Sequence, residues 1–260
     1  MVETTGDRQP HESIAALGGK GVFVKEVQAA VLDGRADIAV HSAKDLPSQP
    51  IDGLVIAAVP ERGDARDALV GRPLADLPVG ALVATGSARR RAQLADARPD
   101  LTFTGLRGNI PTRLEKAESY DAIVVAAVAL ERLGLGHRIA EVLPVAVVLP
   151  QVGQGALAVE CRVDEAETRR RLAAIEHRES RTAVDAERAF LAELGGDCDL
   201  PAGAHAVVGG ASLVFDGLLA SLDGRIVLRH RAEGPDPETL GREVAQHLLE
   251  SAGGRELFSA

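Results

Sequence analysis

The stretch ALVATGSARRRAQLADA (81–97) decides the fold class. It opens on a short apolar run, Ala81–Thr85, of the kind a buried strand makes. Gly86-Ser87 breaks the run. Ala88–Ala97 then reads as a helix that three arginines, Arg89, Arg90 and Arg91, open. The unit recurs: Leu101–Thr104 reads as a strand and Asn109–Ala117 as a helix, and Tyr120-Asp121 leads into Ala122–Ala126, another buried strand. Strands alternating with helices predict an α/β protein with mostly parallel sheets covered on both faces.

The same pattern extends upstream. Val22–Leu32 (VFVKEVQAAVL) carries a helical apolar face closed by Asp33-Gly34, and Asp37–Val40 and Leu54–Val59 read as strands. Pro60–Asp64 is polar and bears Gly and Pro, marking a crossover. Downstream, Leu149–Gly155 (LPQVGQG) is a second break, followed by a strand at Ala156–Cys161 and helices at Asp164–Glu176 and Ser180–Leu194. After Gly195-Gly196 the character changes. Ala204–Val208, Ala211–Leu219 and Arg225–Ala232 read as hairpin-linked strands, and Asp236–Leu249 as a closing amphipathic helix. The expected division is residues 1–60 with 156–174, residues 65–150, and a small α+β unit over 178–260.

Composition excludes several classes. At 260 residues, 46% hydrophobic and 26% charged, the chain is neither disordered nor collagen-like. Its longest purely apolar run, Ala122–Leu130, falls far short of the roughly 20 residues a membrane span needs. No signal peptide opens it. Two cysteines, Cys161 and Cys198, make no disulfide framework. A cytoplasmic protein with no membrane partner is expected. A net charge of −9 argues against nucleic acid. Of only four lysines, Lys20, Lys25 and Lys44 fall early and close together, with Lys116 apart.

Three local signals carry chemistry. Arg89, Arg90 and Arg91 open the helix after one strand; Arg107 lies at the next strand-to-helix joint with Arg113 a turn on, and Arg132 follows the third strand. Arginines at successive helix N-termini suit a multiply anionic small ligand. His41-Ser42-Ala43-Lys44-Asp45 ends another buried strand; Lys44 there can hold an anion and Asp45 can act as acid or base. Gly18-Gly19-Lys20-Gly21 lacks the spacing of a phosphate loop and reads as a mobile loop. Cys198 sits in the Gly/Pro-bearing segment GGDCDLP, whereas Cys161 reads as core. Nothing near Cys198 has metal-ligand spacing, so no metal is expected. Asp197 and Asp199 disfavour a permanently activated thiolate there, so one covalent attachment suits it better than turnover. The other histidines (His11, His137, His177, His205, His230, His247) lack triad spacing and read as structural.

Taken together, the motifs GGKGVFVKE (18–26), DIAVHSAKDLP (37–47), GSARRRAQL (86–94), RPDL (98–101), LRGNIPTRL (106–114), YDAIVVA (120–126), LERLGL (130–135), LPQVGQGALAVECR (149–162) and GGDCDLP (195–201) resemble the porphobilinogen deaminase (hydroxymethylbilane synthase) family. They run in the family's order along nearly the whole chain. The resemblance implies a transferase that joins four porphobilinogen molecules, releases ammonia at each step and yields linear hydroxymethylbilane for heme biosynthesis. It implies a dipyrromethane cofactor on a thioether to Cys198, a catalytic carboxylate at Asp45, and cofactor carboxylates bound by Lys44, Ser87, Arg89 and Arg90. Arg107, Arg113 and Arg132 match residues for the incoming substrate or growing chain, and Lys20 and Lys25 match a loop over the cleft. It also implies two periplasmic-binding-protein-like domains plus a third carrying the cysteine, in a monomer. Each pyrrole unit brings an acetate and a propionate, which the arginines would neutralise. An Asp beside the pyrrole nitrogens would stabilise the cation left by departing ammonia.

One departure stands out. Family members open on a strand with an Arg and a Ser, which this chain lacks ahead of Met1–Asp7; roughly 40 residues correspond to that strand and its helix. The expectation is low turnover for the chain as written, with recovery when such a segment is restored. The rival reading is a hinged, non-catalytic anion-binding protein, which would have no need of Cys198.

Overall fold

The computed structural model describes residues 22–195, 201–210 and 212–258. The first described element, α1 (Val22–Leu32), spans the residues its apolar spacing predicts. Val24, Val27 and Val31 recur at i, i+3 and i+7 and meet the cores beneath. The helix stops where Gly34, at φ +72°, donates its N–H back to the Val31 carbonyl at 3.1 Å.

Three strands form the sheet under α1: β1 (Ile38–Ser42), β2 (Leu54–Ala58) and, much later in sequence, β8 (Leu157–Arg162). Their order is β1-β8-β2, with both pairings antiparallel. β8 returns to this sheet after the chain has built the next one, and it enters between two strands that run the same way.

The second sheet holds β3 (Asp67–Gly71), β4 (Leu82–Ala84), β5 (Thr102–Thr104), β6 (Ala122–Ala126) and β7 (Glu141–Val142), in the order β5-β4-β6-β3-β7. β4 runs parallel to β5 and β6, while β3 is antiparallel to β6 and β7. Helices α2 (Ala88–Ala97), α3 (Ile110–Lys116) and α4 (Ala127–Glu131) belong to this part of the chain. Alternate residues supply two separate cores. Leu69, Val83 and Val124 face one, with Leu94 of α2; Val70, Ala84, Ile123 and Val125 face the other, with Leu114 of α3 and Leu130 of α4. β6 is buried along its whole length, as a continuous apolar run requires.

β3 is a strand that periodicity did not single out. Its five residues, DALVG, begin on an acid and end on a glycine, so neither alternation nor a long apolar run flags them. The acid, Asp67, is fully buried.

The last region is α+β. After α5 (Ala166–Leu172) and the long α6 (Arg178–Glu193) come β9 (Ala202–Gly209), β10 (Ser212–Ala220) and β11 (Val227–Gly234), an antiparallel meander. The closing helix α7 (Pro237–Gln246) is capped by Asp236, whose side chain accepts the Thr239 N–H at 2.8 Å. A wider turn at His247–Ser251 follows it. The expected helix over 236–249 is thus shorter, and the one over 164–176 gives way after Leu172 to a tight turn at Ala173–Ile175. Phe190 of α6 and Phe215 of β10, both fully buried, pack 5.5 Å apart at the centre of this unit. The chain is therefore an α/β protein with a C-terminal α+β region. Among the described residues, no helix is long and apolar enough to cross a membrane.

Candidate active site

Because β4, β5 and β6 run parallel, their carboxyl ends leave the second sheet at one edge. That edge is where open α/β sheets gather ligand-binding residues. The β4 exit is Thr85-Gly86-Ser87. Ser87 caps α2, its Oγ accepting the Arg90 N–H at 3.4 Å. A Cβ on Gly86 would lie 2.7 Å from the Leu106 carbonyl oxygen, so two neighbouring exits touch backbone to backbone and only glycine fits. At the β5 exit, Asn109 caps α3 by accepting from the Thr112 N–H (3.0 Å) and hydroxyl (2.8 Å).

Arg89 and Arg90 leave the first turn of α2 inward and are only 3% and 7% exposed. Both meet the carboxylate of Asp67. Arg89 Nη2 lies 2.8 Å from Oδ2, and Arg90 donates to Oδ1 from Nη2 (2.7 Å) and Nε (2.9 Å). Arg89 Nη1 reaches the Leu149 carbonyl at 2.5 Å, and Arg90 Nη1 the Val124 carbonyl at 3.1 Å. The two guanidiniums hold the Asp67 carboxyl far below the usual carboxylate range, against the opposing effect of burial. Arg89 Nε is buried and has no hydrogen-bond partner among the described residues.

Lys44 joins this cluster from the first sheet. It lies in the tight turn Ala43–Asp45 at the end of β1. Gly153 packs so close to that turn that a Cβ there would meet the Ala43 carbonyl carbon at 3.0 Å. Lys44 Nζ is 3.5 Å from Gln154 Oε1, and the Gln154 amide nitrogen donates to Asp67 Oδ1 (2.8 Å) and the Ala65 carbonyl (2.7 Å). Burial, then the Arg90 charge, pull the Lys44 ammonium down to about 8, with Arg89 adding to the fall; Asp45 and Asp67 oppose it. Asp45 is exposed on the same turn.

The remaining predicted residues sit further out. Arg107 is exposed at the β5 exit. Arg113 donates through Nε to the Gly108 carbonyl at 2.7 Å; burial lowers its pKa, and the charges of Arg90 and Arg107 add to that fall. Arg132 is tied to the Gly155 carbonyl through Nη2 at 2.8 Å. Lys25 is exposed on α1. Lys20 and Cys198 lie outside the described residues. Cys161 is fully buried in β8, and burial pushes its thiol up.

Sequence reasoning missed four polar residues that hold this edge together: Asp67, Gln154, Arg62 and Glu187. Fully buried Glu187 of α6 accepts from Arg62 Nη1 (2.7 Å) and Nη2 (3.1 Å), the Gly153 N–H (2.7 Å) and the Ala206 N–H (3.0 Å). It therefore joins the crossover, the return segment and β9. The available signals were thin: an acid opening a short apolar run, a glutamine between two glycines, and an arginine in the crossover segment.

The donor set suits a polycarboxylate. Among the described residues, three cations, Lys44, Arg89 and Arg90, face the one buried carboxylate of Asp67, and one guanidinium N–H is buried without an acceptor.

Two family models match the chain. "Porphobilinogen deaminase, dipyromethane cofactor binding domain" covers residues 1–170, and "Porphobilinogen deaminase, C-terminal domain" covers residues 181–250. The chain belongs to the porphobilinogen deaminase family. Curated relatives agree. The porphobilinogen deaminase of Brevibacillus brevis is 46% identical over 259 residues, 97% of this chain and 84% of that protein. That of Moorella thermoacetica is 48% identical over 263 residues, 98% and 84% of the two chains. That of Geobacillus kaustophilus is 48% identical over 263 residues, 99% and 85%. The cofactor of this family is dipyrromethane, and the cationic cluster described above lies wholly within the residues matched by the cofactor-binding model.

Proposed function

We propose that this chain carries out the porphobilinogen deaminase reaction with its cationic edge as the carboxylate-binding wall and Asp45 as the catalytic carboxylate. The reaction, that of a hydroxymethylbilane synthase, joins four porphobilinogen molecules into linear hydroxymethylbilane with loss of ammonia, a step of tetrapyrrole biosynthesis. The observation that carries the assignment is the half-buried Lys44 beside the buried Arg89 and Arg90, with an Arg89 Nε that has no partner among the described residues and calls for a ligand oxygen.

The dipyrromethane would be held by Lys44, Ser87, Arg89 and Arg90 and attached through Cys198; when bound it supplies the primer whose free pyrrole carbon is the nucleophile. Lys44 and the two arginines neutralise carboxylates and fix their orientation. Arg107, Arg113 and Arg132 form an outer set for carboxylates of the incoming porphobilinogen and the growing chain. Lys20 and Lys25 match positions of the family's cleft loop and would add positive charge for the ligand's carboxylates. Asp45, exposed at the turn beside Lys44, accepts pyrrole N–H groups and stabilises the positive charge that grows on the substrate as ammonia leaves. It also suits proton transfer at that step. We further propose a cytoplasmic monomer of three units, 1–60 with 156–174, 65–150 and 178–260.

Asp45→Asn, compared with the parent of identical N terminus, tests the assignment. The variant should acquire the covalent cofactor yet release ammonia from porphobilinogen at least about a hundredfold more slowly, within the range that general acid–base groups supply. Parental ammonia release by the variant would remove Asp45 from the reaction.

A further inference from the structure

We propose that Asp67 is the positioning residue of the anion site: it sets Arg89 and Arg90 side by side and, through Gln154, aims the Lys44 ammonium at the same ligand. This rests on the proposed role of those three cations in holding carboxylates.

The geometry carries the argument. Asp67 opens β3, and its two oxygens divide the work. Oδ2 takes Arg89 Nη2 at 2.8 Å; Oδ1 takes Arg90 Nη2 and Nε and the Gln154 amide nitrogen at 2.7, 2.9 and 2.8 Å. A pairing that served stability alone would saturate the donors it buries. Here Arg89 Nε is buried and has no partner among the described residues. Arg89 is held from Nη1 and Nη2 by Leu149 and Asp67, so that edge is fixed and the Nε edge is not used.

Gln154 passes the arrangement on. Both acceptors of its amide nitrogen are oxygens, Asp67 Oδ1 and the Ala65 carbonyl, so the amide can point only one way. Its Oε1 must then face the cations, and it lies 3.5 Å from Lys44 Nζ and 3.4 Å from Arg90 Nη2. A residue of the second sheet thereby orients a lysine of the first. Asp67, after Asp45, also favours the charged form of Lys44. The charged groups around that ammonium are Arg90, Arg89, Asp45 and Asp67, and the two carboxylates oppose the desolvation and the arginines. Without Asp67, one exposed carboxylate would face three cations.

Asp67→Asn preserves the shape and the Oδ1 acceptor but turns an NH2 toward Arg89 Nη2, donor against donor. Asp67→Glu preserves the charge and shifts it by one methylene. Two readouts separate positioning from bulk stability. The first is the pH midpoint of Lys44 acylation in the Cys198→Ser background, read by peptide mass with Lys25 and Lys116 as references within the same chain. It needs no cofactor. The second is the fraction of chain bearing a covalent pyrrole mass after incubation with porphobilinogen.

For Asp67→Asn the Lys44 midpoint should fall by about one pH unit, as expected when a charge a few ångströms away is removed. The adduct fraction at pH 8 should fall about tenfold and recover in part at pH 7. Asp67→Glu should keep the parental midpoint and load at an intermediate level. Should Asp67→Asn prove insoluble, the Glu variant decides: a parental midpoint with weakened loading supports the proposal, and parental loading overturns it. A folded Asp67→Asn with parental midpoint and parental loading also overturns it. If the parent itself takes no adduct, the carboxylate-binding reading fails, while the Lys44 measurement still judges Asp67.

Discussion

Lys44 has to remain an ammonium to bind a carboxylate, yet its surroundings pull it down to about 8. Its charge in the ligand-free protein is therefore lost as pH rises through about 8, and carboxylate capture should weaken there. Stability has the opposite sign. The folded value lies below the ordinary 10.5, so burying the charged lysine costs stability at lower pH, and that cost is relieved as pH rises from about 8 to 10.5. Titrating the rate of covalent loading from pH 6.5 to 9.5 checks the functional half. A fall centred near 8 is expected, and Lys44→Arg, charged throughout, should move the fall to higher pH. A parental profile unchanged by Lys44→Arg would contradict the account. Salt should weaken loading as well, although less than for an exposed site because the arginines are buried.

At the scale of elements, α6 and α7 are packed closely enough for glycine to be required between them. A Cβ on Gly241 would lie 2.1 Å from the Ala186 carbonyl oxygen. Gly241→Val should push the helices apart and cost at least about 1–3 kcal/mol, read from urea unfolding as a lower midpoint at unchanged slope. An unshifted midpoint would mean that the helices do not meet there. This contact was invisible in the sequence, because a glycine within an amphipathic helix signals only a lower helix propensity and not what packs against it. The elements themselves were far more legible. α1, α2 and β6 have the bounds the sequence predicts: α1 by its apolar spacing and glycine stop, α2 by its place after the Gly86-Ser87 break, and β6 by its continuous apolar run. β3 escaped because a central buried strand needs no alternation and this one opens on a charge. The site divided in the same way. Arginines at strand exits could be read from local order alone. The Asp67–Gln154 link could not, because it joins residues 87 positions apart that the chain brings together only after crossing between sheets.

For the whole molecule, acid sensitivity has a structural source. Burial pulls His205 down, and burial together with the neighbouring His247 does the same for His230, whose ring stacks on His247 at 3.7 Å. Both folded values lie below the ordinary 6.5, so the unfolded chain binds protons more readily as pH drops past that point, and stability falls with it. The melting temperature should decline between pH 7.5 and 5.5, and His230→Asn should flatten part of the decline; an unaltered slope in that variant would exclude the stacked pair as a contributor. The larger arrangement serves one purpose. Glu187 binds the crossover, the return segment and β9, and so ties the unit that follows the Cys198 segment to the edge where the arginines gather. The central claim is a primer tethered to Cys198 and held by that edge. Intact mass of the purified chain after exposure to porphobilinogen, beside Cys198→Ser, tests it most directly. The account predicts added pyrrole mass on the parent and none on the variant; a parent at its bare polypeptide mass, or an equal gain on both chains, would contradict it.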